Sequence, residues 1–217
     1  MTLQAIAFLI LSGMALIILP RRWAFIPIFV GASYAPRIGV QVGPFTFTIL
    51  RILICIGLAR VLSRRESVGG GFSSLDGWMV GWGLWLVAST VFHDHVSSRL
   101  VFRLGLALDG MGLYFLLRTF CQSREEIARM CAMLAVILTP LAVVMLIEKA
   151  TAYSAFSTFG AFVELQIRDG KVRAQGPFGT PILAGNVGGV CLPLMLGMWW
   201  TNRRAALLGA AACVAPT

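Results

Sequence analysis

Charge is the scarcest thing in this chain. Asp, Glu, Lys and Arg make up 12% of its 217 residues, about half the share of a typical soluble domain. Apolar residues make up 58%, and the mean hydropathy is +0.84. A soluble domain of this length cannot cover that much apolar surface, so the composition implies an integral membrane protein whose solvent is the lipid bilayer. Negative charge is scarcer than positive: 9 Asp and Glu stand against 18 Lys and Arg, for a net charge of +9. In a soluble protein that balance would point to nucleic acid. Here the cations fall between apolar runs, where they act as orientation signals, and nucleic acid is not an expected partner.

Histidine is nearly absent. Its 2 copies sit together in His93-Asp94-His95, and no further His or Cys cluster exists to complete a metal shell. A solvated loop is the preferred reading, with a general-base role for either His as the alternative. The 5 cysteines include no CxxC pair, so zinc and redox motifs are both missing and the thiols read as small apolar fillers. No metal and no cofactor is expected. Leu3–Leu19 is not expected to be a cleavable signal peptide, because it has no basic stretch before it and no A-x-A site after it. No internal repeat is found.

What the chain has in plenty is apolar runs. Measured against the roughly 20 residues needed to cross a bilayer, the candidate helices are Leu3–Leu19, Trp23–Ala35, Pro44–Leu62, Leu75–Phe92, Leu100–Phe120, Met130–Ile147, Pro181–Trp200 and a last one from Ala205. The expected fold is an all-α polytopic bundle of about 7–8 transmembrane helices, a single domain over residues 1–217. Arg21, Arg22, Arg60, Arg64, Arg65, Arg118, Arg124, Arg129, Arg203 and Arg204 fall on one side of such a bundle. That side is expected to be the cytoplasm, with the N-terminus outside. Residues 148–180 then form the one long outer-face loop. Within it, Tyr153–Ile167 is expected to lie along the interface as a short amphipathic helix, and Asp169-Gly170 to make a turn. Gly77 with Gly81, and Gly185 with Gly189, have the spacing of helix-packing pairs. The last run stops without a polar tail, and the expectation is a fragment of a longer polytopic protein.

Charges inside apolar runs need a reason. Arg51 lies roughly 10 Å into its predicted helix and Asp109 roughly 14 Å into another, at 1.5 Å per residue. A structural ion pair between them is expected, with a direct substrate role for Arg51 as the alternative. Arg99 and Arg103 are four apart and share a helix face. Two forked guanidiniums suit a phosphate or diphosphate, and snorkelling toward headgroups is the bland alternative. Ser123 reads as an N-cap for the helix that follows.

The most informative stretch is Val172–Gly185, VRAQGPFGTPILAG. A cationic loop meets an apolar helix there, and Pro181 suits a first helical turn. This stretch resembles the O-antigen ligase and polysaccharide polymerase family of bacterial membrane glycosyltransferases. Arg173, Gly176, Phe178 and Pro181 carry the likeness, followed by Leu183, Gly185 and Leu192-Pro193-Leu194. Upstream, Arg21-Arg22, Phe47–Arg51 and Leu113-Tyr114-Phe115-Leu116 with Arg118 are similar to the family's layout. The departure is Thr180, where the family often has Asn, His or Asp.

The resemblance implies a lipid-carrier glycosyltransferase-like fold in the bacterial inner membrane, matching the N-terminal half of a family member. It implies metal-independent transfer of a glycan from an undecaprenyl diphosphate-linked donor to an acceptor glycan or lipid A-core. Arg173 would contact the donor diphosphate, with Arg99 and Arg103 as further candidates. Gly176, Phe178, Pro181 and Gly185 would shape the backbone. The family's essential His would lie beyond residue 217, so no catalytic residue is assigned and the chain alone is expected to be inactive. The competing functions are a transporter or flippase for a lipid-linked or anionic substrate, and a non-catalytic assembly protein.

Overall fold

The structure is a computed structural model that describes residues 2–35, 39–92, 96–159, 166–168 and 170–214. His93-Asp94-His95 and Asp169 lie outside the described residues. Eight α-helices make up most of the rest: α1 Leu3–Ile18, α2 Phe25–Tyr34, α3 Ile49–Arg64, α4 Ser74–Ala88, α5 Val96–Phe120, α6 Arg124–Thr151, α7 Pro181–Gly197 and α8 Arg203–Val214. Four are long and apolar enough to cross a membrane: α4 with its 3-10 extension to Phe92, α5, α6, and α7 with its 3-10 extension to Trp200. The α1 helix is apolar but shorter.

Helix starts follow from hydroxyl side chains that satisfy otherwise free N–H groups. Thr2 accepts from the Ala5 N–H and Thr48 from the Arg51 N–H, both at 3.3 Å. Thr180 accepts from the Leu183 N–H at 3.4 Å. Ser123 and Glu126 make a reciprocal capping box, each at 3.2 Å.

Two expectations are corrected. The helix expected from Pro44 begins at Ile49, because β1 Gly39–Val42 and β2 Phe45–Thr48 form an antiparallel hairpin first. Phe45-Thr46-Phe47-Thr48 alternates with the period of a strand, and Gly43 supplies the positive φ of 60° at the turn. Second, where an interfacial helix is expected over Tyr153–Ile167, the described residues hold a 3-10 turn at Ala155–Phe159 and place Gln166 and Ile167 in a strand, and residues 160–165 lie outside the described residues. That strand, β3 Gln166–Arg168, pairs with β4 Lys171–Arg173, and Gly170 between them has φ +73°.

The core falls in two main parts. Leu16, Phe25, Ile28, Ile54, Leu116 and Phe120 bury the faces of α1, α2, α3 and α5 against one another. Leu138, Leu141, Met145, Phe178, Met195 and Cys213 join α6, α7 and α8 to the segment before α7. The α4 helix packs on α5 and leaves Trp78, Trp82 and Trp85 exposed. Among the described residues, the expected packing role of Gly81, Gly185 and Gly189 is not met, since a Cβ at any of them would touch nothing within 4 Å.

The end of the molecule that carries the C-termini of α1, α3 and α5 is tied by cations. Arg60, 3% exposed, donates to the Leu16 carbonyl and pairs with Glu66 at 3.2 Å. Arg64 donates to the Ile17 carbonyl at 2.8 Å. Both therefore satisfy the free carbonyls at the end of α1. Arg118 pairs with Asp76 and donates to the Gly69 and Gly71 carbonyls, and Tyr114 donates to Asp76 at 2.9 Å. Arg21 pairs with Glu126 at 3.5 Å.

Candidate functional site

At the opposite end, the C-terminal turn of α2, the start of α3, α5 and the Gly176–Phe178 turn enclose a cavity of about 420 Å³. That volume falls in the usual range of small-molecule sites, roughly 300–1,000 Å³. Gly31 and Ala32 on α2 and Ala35 just after it are small and leave the space open. Thr48, Ile49, Leu50 and Arg51 come from the α3 start, Phe102 and Asp109 from α5, and Pro177 and Phe178 from the motif.

Arg51 and Asp109 meet in the lining of this cavity as a bidentate pair. Arg51 Nε donates to Asp109 Oδ1 at 2.9 Å and Nη2 donates to Oδ2 at 2.6 Å. Arg51 Nη1 donates to the Thr46 carbonyl of β2. Gly105 makes room for the fork, since a Cβ there would lie 2.7–2.9 Å from the guanidinium atoms. Breaking a fully buried pair costs about 3–5 kcal/mol. Here the side chains are 17% and 29% exposed, and solvent screening brings the cost below that range. The depth expected for Arg51 is corrected: α3 starts at Ile49, so Arg51 sits in the first turn.

The motif segment is held from behind. Glu148, fully buried near the C-terminus of α6, accepts the Gly176 N–H at 3.0 Å and the Gln175 N–H at 3.4 Å. Gly176 has φ +53°, and a Cβ there would lie 3.1 Å from Met145. Only glycine enters that conformation without penalty. The chain then turns through Pro177 and Phe178 into the Thr180 cap, and Pro181 opens α7.

The three arginines proposed for a diphosphate are not among the residues that line the cavity. Arg173 ends β4 and is exposed. Arg99 is exposed in the first turn of α5, and Arg103, one turn further, donates to Ser89 Oγ at 2.9 Å. Gly185 lies in the second turn of α7. Among the described residues, no group of three His, Cys, Asp or Glu could hold a metal ion.

Sequence reading missed Glu148, Phe102 and Thr48. Glu148 left a signal: an acid at the end of a long apolar helix requires a partner. Phe102 and Thr48 left none, being ordinary residues in apolar surroundings. No protein-family profile, curated protein or solved structure matches this chain.

Proposed function

We propose that the chain is a polytopic inner-membrane protein with its N-terminus outside, and that it serves glycan transfer from an undecaprenyl diphosphate-linked donor to an acceptor sugar. The observation that carries this reading is the cavity shared by Pro177-Phe178 and the Arg51–Asp109 pair. Of the residues that carry the family resemblance, Phe178 and Arg51 thus line a ligand-sized space, and Arg51 is paired there with Asp109. The four helices long enough to span a membrane and the exposed α4 tryptophans support the membrane setting. They fit a bundle whose arginine-tied end faces the cytoplasm and whose cavity opens to the outside.

In this reading an acceptor hydroxyl attacks the anomeric carbon of the donor. The bond from that carbon to the diphosphate oxygen breaks, and undecaprenyl diphosphate leaves as an anion. Arg173, four residues before Pro177, stabilises that developing charge, and Arg99 and Arg103 are further candidates. The hydroxyl proton passes to a base. No guanidinium can take it, because Arg stays protonated in proteins.

The test uses membranes holding the protein as its gene encodes it, supplied with an undecaprenyl diphosphate-linked glycan and an acceptor. Arg173→Ala should lower transfer about 100-fold or more, the scale on which a lost transition-state donor acts, while carrier translocation continues. Loss of translocation with Arg173→Ala would instead identify a transporter or flippase.

A further inference from the structure

We infer that the cavity receives a neutral, hydroxyl-rich ring, a sugar residue of the glycan, and excludes the diphosphate. This rests on the glycan-transfer reading and names which part of the substrate enters.

The charge of Arg51 is already used. Both carboxylate oxygens of Asp109 lie against its fork at 2.6 and 2.9 Å. The pair adds no net charge to the cavity, and Asp109 is the only acid and Arg51 the only base among the described residues that line it. A dianion entering would meet the carboxylate of Asp109 or pull the fork away from it. Either way one charge is left unpaired in a partly buried place, which is the expensive outcome.

A hydroxyl group has no such conflict, since it both donates and accepts. The guanidinium has five N–H groups and the carboxylate about four lone-pair sites. The bonds to Asp109 and to the Thr46 carbonyl leave donors and acceptors free side by side. The Thr48 and Arg51 wall is polar, whereas Phe102 and Phe178 are flat and apolar. Polar hydroxyls around apolar ring faces are the chemistry that matches both walls. The diphosphate is left to cations outside the cavity, among which Arg173 is exposed.

The experiment measures saturation-transfer NMR on the full chain, purified in detergent, with methyl glucoside and methyl N-acetylglucosaminide as neutral probes and inorganic pyrophosphate as competitor. Both glycosides should receive saturation, and excess pyrophosphate should leave their signals unchanged. Phe102→Ala should weaken glycoside binding about tenfold, equivalent to about 1.4 kcal/mol. Phe102 is 66% exposed, so this variant keeps the core intact. Arg173→Ala should leave glycoside binding as it was. Asp109→Asn should uncover the charge of Arg51, and pyrophosphate should then displace the glycosides.

Pyrophosphate displacing them from the unaltered chain would overturn the inference. So would a folded, unaltered chain with no saturation transfer, or glycoside binding indifferent to Phe102→Ala. Glycan transfer is read separately. Transfer without glycoside binding rejects the inference and keeps the transferase reading, and Phe102-dependent binding without transfer does the reverse.

Discussion

Glu148 and Gly176 are joined side chain to backbone across two elements. The carboxylate at the end of α6 accepts the Gly176 N–H at 3.0 Å, and its other oxygen accepts from Gln175. The segment that lines the cavity is therefore positioned by an acid that does not itself line it. Glu148→Ala leaves both buried N–H groups without that acceptor, at a cost of about 1–3 kcal/mol. The variant should melt at lower temperature in detergent and be cut faster by trypsin after the exposed Arg173. Unchanged melting and cleavage would show that the anchor does nothing.

Gly176 and Gly43 both have positive φ, at 53° and 60°. They differ in surroundings: a Cβ at Gly176 would crowd Met145, whereas one at Gly43 would touch nothing within 4 Å. Alanine at either site costs roughly 1–2 kcal/mol for the left-handed backbone. Gly176→Ala should cost more, because Met145 must also move. Equal losses of thermal stability in the two variants would contradict the crowding.

Gly105→Ala tests the Arg51–Asp109 pair from the side. The added methyl would overlap the guanidinium and push it off the carboxylate. In the unaltered background the substitution should destabilise the protein. In an Arg51→Ala background it should be close to neutral, a non-additivity of about 0.5–3 kcal/mol. Additive effects of the two changes, measured by chemical denaturation, would place the strain elsewhere.

Cys121 lies between α5 and α6. Burial, aided by the nearby Glu126 carboxylate, pushes its thiol up to about 11. The thiolate is the reactive form, so at pH 7 maleimide should label Cys121 far more slowly than an ordinary exposed thiol. The rate should climb about tenfold per pH unit up to that value. Fast labelling at pH 7 would show the thiol to be open and unshifted.

The long helices were legible because an apolar run bounded by Ser or Thr leaves the backbone few alternatives. Ser123 and Thr180 do cap α6 and α7. The Arg51–Asp109 pair was legible too, since two isolated opposite charges in apolar runs need each other. The start of α3 was not, although Phe45-Thr46-Phe47-Thr48 carried a strand alternation that hydropathy alone hides. Glu148 escaped because its partners are backbone N–H groups 27 and 28 residues away, and backbone groups leave no mark in a sequence. The cations of the helix ends read as orientation signals, yet Arg60 and Arg64 are also bonded to the carbonyls of α1.

That last bonding pattern makes one end of the molecule respond unevenly to acid. The acceptors that Arg60 and Arg64 use on α1 are peptide carbonyls, which take no proton in the pH range where carboxylates do. The links from Arg118 to Asp76 and from Arg21 to Glu126 depend on carboxylates. Acidification should therefore loosen α4 from α5, and Arg21 from α6, while α1 and α3 stay fastened. Spin labels paired across the ends of α1 and α3 should keep their separation at a pH where a pair across α4 and α5 has spread. A simultaneous release of both would mean that the carbonyl bonds hold nothing on their own.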